Sequence, residues 1–492
     1  MSARRLRPDL SLLLALCACG SDPADVIGRE PAGSPTPANV ETALPDTDAP
    51  APTGGPPNIL VVLADDIGVD KIGAYGEHPV PVPTPSIDAL AASGVLFRNA
   101  WAYPSCSPTR AALLTGRYGR RTGVGNVVDA YDGGYELPAR EVTIPEMLAS
   151  ARDLWASGVV GKWHLATWAS DSNIRHPGVQ GFPWYRTNLS NIDQGSTDAV
   201  ETYYDWELDD NGVLSQQTAY LTTFQVDAAL ERMATAPEPW FVYLALSAPH
   251  TPLSEPPRDL YTLPTPGNVQ SQRYHAVAEA MDTELGRLLA QVDLRDTVVV
   301  FMGDNGTPDH AVLPPRDPAS SKLTLFEGGV NVPLVVAGPL VTAPGESAAL
   351  VHAVDVFATV ADVAGVDLAA LQGTDGGPIP VDGRSLRPFL EDPGAPGRSV
   401  LYTETFSPLG FRDLNVDERA VRDDRFKLMV DEKSGKQALF DLAGRPDDGP
   451  DLLAGGPLAP EASAAYASLS AALDAFRADL VPTTGSVAPA AE

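Results

Sequence analysis

The chain has 492 residues, 44% of them hydrophobic and 20% charged, enough for one large or two medium domains with a substantial core. Its formal net charge is −30, and no lysine- or arginine-rich stripe is present to displace counterions, which excludes nucleic acid as a partner. Such acidity favours solubility, and it requires that an anionic ligand be drawn in by a local basic pocket rather than by the overall field.

Residues 1–19 read as an export leader. Arg4, Arg5 and Arg7 make a basic start, and Leu10 to Ala18 is an apolar stretch too short to span a bilayer. Leu16-Cys17-Ala18-Cys19-Gly20 resembles a bacterial lipoprotein cleavage site. That reading predicts a lipid anchor on Cys19 and a place in the periplasm or at the cell surface; an ordinary secretory signal containing cysteines is the alternative. Adjacent Arg4-Arg5 leaves a twin-arginine route open beside the general one. Residues 20–57 are rich in Pro, Ala, Thr, Gly and Asp and read as a disordered linker.

The texture changes at Asn58. Ile59 to Ala64 is a continuous apolar, β-branched run, as in a strand buried on both faces, and it ends in Asp65-Asp66. Ser86 to Ala92 reads as a short helix with Ser86 as its cap. Cys106-Ser107-Pro108-Thr109-Arg110 follows, with Pro108 suited to a first helical turn and Gly116 to a helix end. Thr143 to Ser150 reads as a helix, and a short strand at Val159-Val160 runs into Gly161-Lys162-Trp163-His164. Residues 168–215 show no clear period and read as long loops over a site; their aromatics (Trp168, Trp184, Tyr185, Tyr203, Tyr204, Trp206) suit stacking on a ring or burial in a core. Tyr220 to Met233 reads as a helix, Trp240 to Ser247 as a buried strand leading to Pro249-His250, and Gln272 to Leu289 as a helix. Val298 to Met302 is a further strand, ending in Gly303-Asp304-Asn305. Beyond about residue 395, short strands at Val400–Thr403, Arg419–Arg422, Phe426–Val430 and Ala438–Leu442 precede a helix from Glu461 to Leu480.

Strands alternating with helices predict an α/β sheet, mostly parallel, whose ligands bind beyond the carboxyl ends of the strands. Several of the predicted strands end in polar, reactive residues at that edge. The expected layout is a leader (1–19), a linker (20–57), a catalytic domain (58–395), a small antiparallel α+β subdomain (396–481) and a tail (482–492).

Cys106 is the sole cysteine beyond residue 19, so it has no partner for an intramolecular disulfide. A single cysteine can be a small buried apolar residue or a nucleophile. Its place at a helix N-terminus, with Arg110 one turn on, favours an anion there. Asp65, Asp66, Asp304 and Asn305 offer three carboxylates and an amide oxygen, hard ligands that suit Ca²⁺ or Mg²⁺ rather than zinc; each pair alone could be a turn or a cap. Lys162 and His164, two apart, would face the same way on an extended segment.

Cys-x-Pro-x-Arg at 106–110, followed by Leu-Leu-Thr-Gly-Arg at 113–117, resembles the signature of the type I sulfatases. Gly-Lys-x-His at 161–164, Pro-His after a strand at 249–250 and Lys-x-x-x-x-Glu-Gly-Gly at 322–329 are similar to the same family, so the resemblance covers roughly residues 58 to 442. It implies an alkaline phosphatase-like fold, with a large mixed sheet sandwiched by helices and a small C-terminal subdomain. It implies that Cys106 is converted to formylglycine by a formylglycine-generating enzyme. It further implies that Asp65, Asp66, Asp304, Asn305 and residue 106 hold a divalent cation, usually Ca²⁺. Lys162, Lys322 and Arg110 would offset charge on a sulfate ester, His250 would protonate the leaving oxygen, and His164 would serve the release of sulfate. The substrate would be a sulfated small molecule or saccharide. Two departures stand out: Asn331 where the family usually has Arg, and Ala166 where it usually has Gly. A phosphodiesterase or phosphonate hydrolase of the same superfold, and a lipid-tethered binding protein without catalysis, are the competing readings.

Overall fold

The computed structural model describes residues 55–480 apart from 131–134, 153, 171, 193–201, 374–375 and 411–413. The leader, the tail and all but the last three residues of the expected linker lie outside the described residues.

Ten strands form one sheet: β1 (Asn58–Ala64), β2 (Val95–Trp101), β3 (Ala156–Lys162), β4 (Tyr185–Asn188), β5 (Trp206–Asp210), β6 (Val213–Gln217), β7 (Trp240–Ala245), β8 (Thr297–Gly303), β9 (Leu334–Ala337) and β10 (Gly345–His352). Their order is β10-β2-β9-β8-β1-β7-β3-β4-β5-β6. The central block β8-β1-β7-β3-β4 is parallel throughout. Antiparallel pairing is confined to β9 and to the β5–β6 hairpin side.

The continuous apolar runs have a simple cause. In β1, Ile59, Val61 and Leu63 enter one core while Leu60, Val62 and Ala64 enter the other, so both faces of the strand are covered. Strand β8 divides in the same way, with Val298, Val300 and Met302 opposite Val299 and Phe301. Each such side chain, fully buried, contributes about 1.5–3 kcal/mol. Helices Cys106–Thr115, Ile144–Ala149 and Asp355–Val363 supply the first core, and helices Pro85–Ser93, Leu221–Thr235 and Gln270–Leu289 the second.

Four further strands, β11 (Leu401–Ser407), β12 (Val416–Arg422), β13 (Phe426–Asp431) and β14 (Gln437–Asp441), form an antiparallel sheet in that order. One face packs with helix Pro460–Asp479 through Leu469 and Leu473. Leu401 and Ala420 join Trp101, Leu325 and Val330 in a separate small core. Among the described residues no helix is long and apolar enough to cross a membrane.

The structure corrects several sequence expectations. Residues 168–215 are not loops throughout: they carry β4, β5, β6 and a helical turn at His176–Val179. Tyr185, Tyr203 and Trp206 are buried, which removes them as stacking platforms. Ser86 does not cap its helix; the helix starts at Pro85, and the Asp282 carboxylate accepts the Ser86 and Ile87 N–H groups instead. Strands β2, β9 and β10 and helix Asp355–Val363 complete the catalytic half without having been predicted.

Candidate active site

Four adjacent parallel strands deliver the site at their carboxyl ends. Strand β1 ends at Ala64 and leads into Asp65-Asp66, β8 leads into Asp304-Asn305, β3 ends on Lys162, and the turn after β7 carries His250. Helix Cys106–Thr115 brings Cys106 and Arg110 to the same point. Gly161 is required here: it has φ +99°, and a side chain would strike the Ala245 carbonyl of β7. Gly306 is likewise required, because a Cβ would collide with the Gly328 carbonyl.

The Cys106 thiol donates to Asp65 Oδ1 at 3.4 Å. Lys162 Nζ donates to Asp65 Oδ2, and Lys322 Nζ to Asp66 Oδ2 at 2.7 Å. Arg110 Nη2 donates to Asp304 Oδ2 at 2.7 Å, and its Nη1 to the Lys162 carbonyl at 2.7 Å. Asn305 Nδ2 donates to Asp66 Oδ1 at 2.8 Å, and the Asp66 N–H to Asp304 Oδ1 at 3.0 Å. His250 Nδ1 lies 2.6 Å from the Thr251 carbonyl, which accepts its proton, and Nε2 stands 3.7 Å from Asp66 Oδ2. All the predicted site residues except His164 are joined by these contacts, and His164 lies close enough to feel the charge of Lys162, Arg110 and His250.

The electrostatics are those of buried, crowded charge. Burial alone would raise Asp66, but Lys322, His250 and Lys162 outweigh it and hold the carboxyl well below its ordinary range. Asp304 is pushed up to about 6 by burial and by Asp65, against Arg110 and Lys162. Burial opposes the charge on Lys322, yet Asp66, Cys106 and Asp65 raise its pKa. Burial and Lys162 bring His250 down to about 3, and burial with Lys162 and Arg110 holds His164 well below its usual value. The Cys106 thiol is raised by burial and then by Asp304 and Asp65, the reverse of what a bare helix N-terminus would do.

His164 reaches the cluster differently from the sequence expectation. Its backbone is left-handed at φ +58°, not extended, and neither ring nitrogen has a partner among the described residues. Asp66 is also left-handed, at φ +69°, a conformation Asp tolerates better than most residues.

Three residues have supporting contacts that were not read from the sequence. Tyr274 donates its hydroxyl to the Asp66 carbonyl at 2.6 Å. Tyr203 Oη lies 3.0 and 2.9 Å from the Ser247 and His250 carbonyls, bracing the turn that carries His250. Glu327 is buried and takes Trp101 Nε1 and Lys427 Nζ on one oxygen, each at 3.1 Å, and Arg422 Nη1 on the other at 3.2 Å. The cations facing Glu327 thus come from β12 and β13, while Asn331 turns its amide to the Arg98 carbonyl.

The pocket contains a set of side chains able to hold a metal ion. Ligand atoms of Asp65, Asp66, Cys106 and His250 lie within 4.8 Å of one another. Asn305 Oδ1 is buried and without a hydrogen-bond partner among the described residues, and an oxygen left so needs a cation or a donor.

Fold and pocket together make an α/β protein with a buried carboxylate cluster on the carboxyl edge of a mostly parallel sheet. The sulfatase family profile matches residues 57–366, and the chain belongs to the sulfatase family. It is 32% identical to the N-acetylgalactosamine-6-sulfatase of Sus scrofa over 351 residues, which is 65% of each chain. With the N-acetylgalactosamine-6-sulfatase of Homo sapiens it shares 31% over 376 residues, 70% of this chain and 68% of the other. The match to the porcine relative thus takes in slightly less than two thirds of that protein's length. The crystal structure of Ps i-CgsB in complex with k-i-k-neocarrahexaose has the same fold, with a TM-score of 0.69 at 24% identity over 87% of this chain and 94% of that one.

Proposed function

We propose that this protein hydrolyses sulfate esters of saccharides, using a formylglycine made from Cys106 by a formylglycine-generating enzyme. The observation that carries the reading is the convergence of Cys106, Asp65, Asp66, Asp304, Asn305, Lys162, Lys322, Arg110, His164 and His250 in one buried pocket of a sulfatase-family chain. The saccharide leaving group follows from the relatives named for N-acetylgalactosamine 6-sulfate.

Held by Asp65, Asp66, Asp304 and Asn305, Ca²⁺ (or Mg²⁺) would supply positive charge that polarises the ester oxygens and acidifies a nearby hydroxyl. Formylglycine at 106 would supply, as its hydrate, one hydroxyl to attack sulfur and a second whose deprotonation expels sulfate and restores the aldehyde. The rest is the work of side chains. Asp304, close enough for its charge to act on position 106, takes the proton of the attacking hydroxyl. Lys162, Lys322 and Arg110 hold the sulfuryl oxygens in a water-poor pocket, where fixed charge acts strongly. The pocket's three carboxylates face three cations, so a divalent cation leaves it net positive, the field a monoanionic ester needs.

His250 protonates the leaving oxygen. Its Nδ1 is committed to Thr251, which leaves Nε2 toward the pocket. A bound anionic ester offsets Lys162 and Lys322 and raises the imidazole from its resting value. His164, neutral and with both nitrogens free of partners among the described residues, takes the second proton. Export and a lipid tether through Cys19 complete the proposal, supported by the basic and apolar leader.

The test is a side-by-side assay of protein matured on Cys106, with 4-nitrophenyl sulfate and N-acetylgalactosamine 6-sulfate against bis(4-nitrophenyl) phosphate. A kcat/KM for a sulfate ester at least about 100-fold above that for the phosphodiester, a difference of about 2.7 kcal/mol in transition-state binding, is the predicted result. A preference for the diester would replace the reading with a phosphodiesterase.

A further inference from the structure

Leu323 combines two features rarely found together. It is 63% exposed, and its backbone is left-handed at φ +72°, where an L side chain is strained and glycine is not. Strain of this kind persists where the surroundings impose it, and here they are identifiable. The preceding Lys322 N–H bonds to the Thr307 carbonyl, in the loop beyond Asp304-Asn305. The Leu323 N–H bonds to the Pro104 carbonyl at 2.8 Å, two residues before Cys106. Residues 322 and 323 thus bridge the carboxylate loop and the nucleophile loop.

The direction of the opening follows from exposure. Asp65, Asp66, Cys106, Arg110, Lys162, His164, Asp304 and Asn305 are sealed, while the side chains of Lys322 and His250 retain 14% and 11% of their surface. Solvent, and therefore the part of a substrate beyond its sulfate, meets the pocket on the Lys322 and His250 side. That is also the side on which His250 would meet the leaving oxygen. Leu323, exposed and joined through its N–H to the nucleophile loop, directly follows Lys322 in the chain.

We infer that Leu323 is a specificity-determining residue that packs on an apolar face of the leaving group, either the C–H face of a pyranose or an aryl ring. The inference rests on the sulfatase reading and deepens it. A small polar alcohol would gain nothing from the leucine, and inorganic sulfate, which lacks a leaving group, would not reach it.

The experiment compares wild type, Leu323→Gly and Leu323→Met, all matured. It reads KM for 4-nitrophenyl sulfate and N-acetylgalactosamine 6-sulfate, Ki for inorganic sulfate, and Tm. Leu323→Gly is expected to raise KM about tenfold for whichever ester the wild type turns over, the scale of one lost apolar contact. Ki for sulfate should stay unchanged and Tm should not fall, because glycine relieves the left-handed backbone. Leu323→Met should keep KM within about twofold, since methionine conserves the apolar volume. Equal KM values for wild type and Leu323→Gly, or a parallel rise in KM and Ki, would overturn the inference and leave the sulfatase reading standing. No wild-type turnover of either ester would overturn that reading, and this inference with it.

Discussion

At position 106 the chain presents a thiol that burial and two facing carboxylates keep protonated. A protonated thiol is a weak nucleophile. The pocket therefore suits a residue made reactive by oxidation rather than by a lowered pKa, and the helix N-terminus alone does not decide the chemistry. Replacing Cys106 by Ser tests this, in a host that matures only cysteine. Serine can attack sulfur, but it carries no second hydroxyl on the same carbon to expel the sulfate. Cys106→Ser should lose about 10³-fold or more in kcat, the scale of removing a nucleophile, or accumulate protein heavier by one sulfuryl group in intact-mass spectra. Wild-type turnover by the variant would contradict the scheme. Asp65, Asp66, Asp304, Asn305 and Cys106 were legible because each follows a strand or opens a helix in a short polar run, whereas Lys322 lies in a loop and was legible only through the family motif. Tyr274 was not: it falls on the apolar stripe of its helix with Val277 and Met281 and reads as core, while its hydroxyl braces the Asp66 backbone. Tyr203 was hidden in the same way, a buried ring whose single polar atom holds the His250 turn.

Among the elements, β1, β7 and β8 were readable because a strand covered on both faces must be apolar at every position. The β5–β6 hairpin lacked that signal. Strand β6 is exposed along nearly its whole length at the sheet edge, so no alternation marks it. Its turn is carried by Asn211 and Gly212, both at positive φ, the pattern of a tight hairpin. The turn is held from within: Asp209 Oδ1 accepts the Gly212 N–H at 2.7 Å, while Oδ2 is buried without a partner among the described residues. Burial, with Asp210 and Glu207 adding to it, raises Asp209 from the ordinary 3.8 to about 7. The folded state thus binds a proton that the unfolded state releases between about pH 4 and pH 7. The stability this group contributes is full below that window and is lost as pH rises through about 7. Asp209→Asn keeps the acceptor for Gly212 and removes the titration. Its Tm relative to wild type should therefore increase between pH 5 and pH 8, read by calorimetry at both. A difference that stays constant, or moves the other way, would show that Asp209 is ionised throughout.

At the scale of the whole molecule, the C-terminal sheet is part of the machinery that positions the pocket. Arg422 and Lys427 reach out of β12 and β13 to Glu327, Asp448 accepts the Glu327 N–H at 2.6 Å, and Lys427 pairs with Asp448 at 2.8 Å. The short helix Glu327–Val330 in turn packs against Gly306, beside Asn305. A charge pair this deep is costly to break from one side, because the remaining partner stays buried and unpaired. The sequence showed the small sheet, through its short strands between turns. It could not show that Lys427 and Arg422 face Glu327, because that pairing joins residues about a hundred apart and has no local periodicity. It offered only the local departure at Asn331.

The nucleophile is tested by mass spectrometry of the tryptic peptide Asn99–Arg110 from protein matured in competent cells. An aldehyde at position 106, seen as formylglycine and its hydrate, is the expected result. Unmodified cysteine from such cells would contradict it and leave a pocket able to bind a cation and an anion but without its nucleophile.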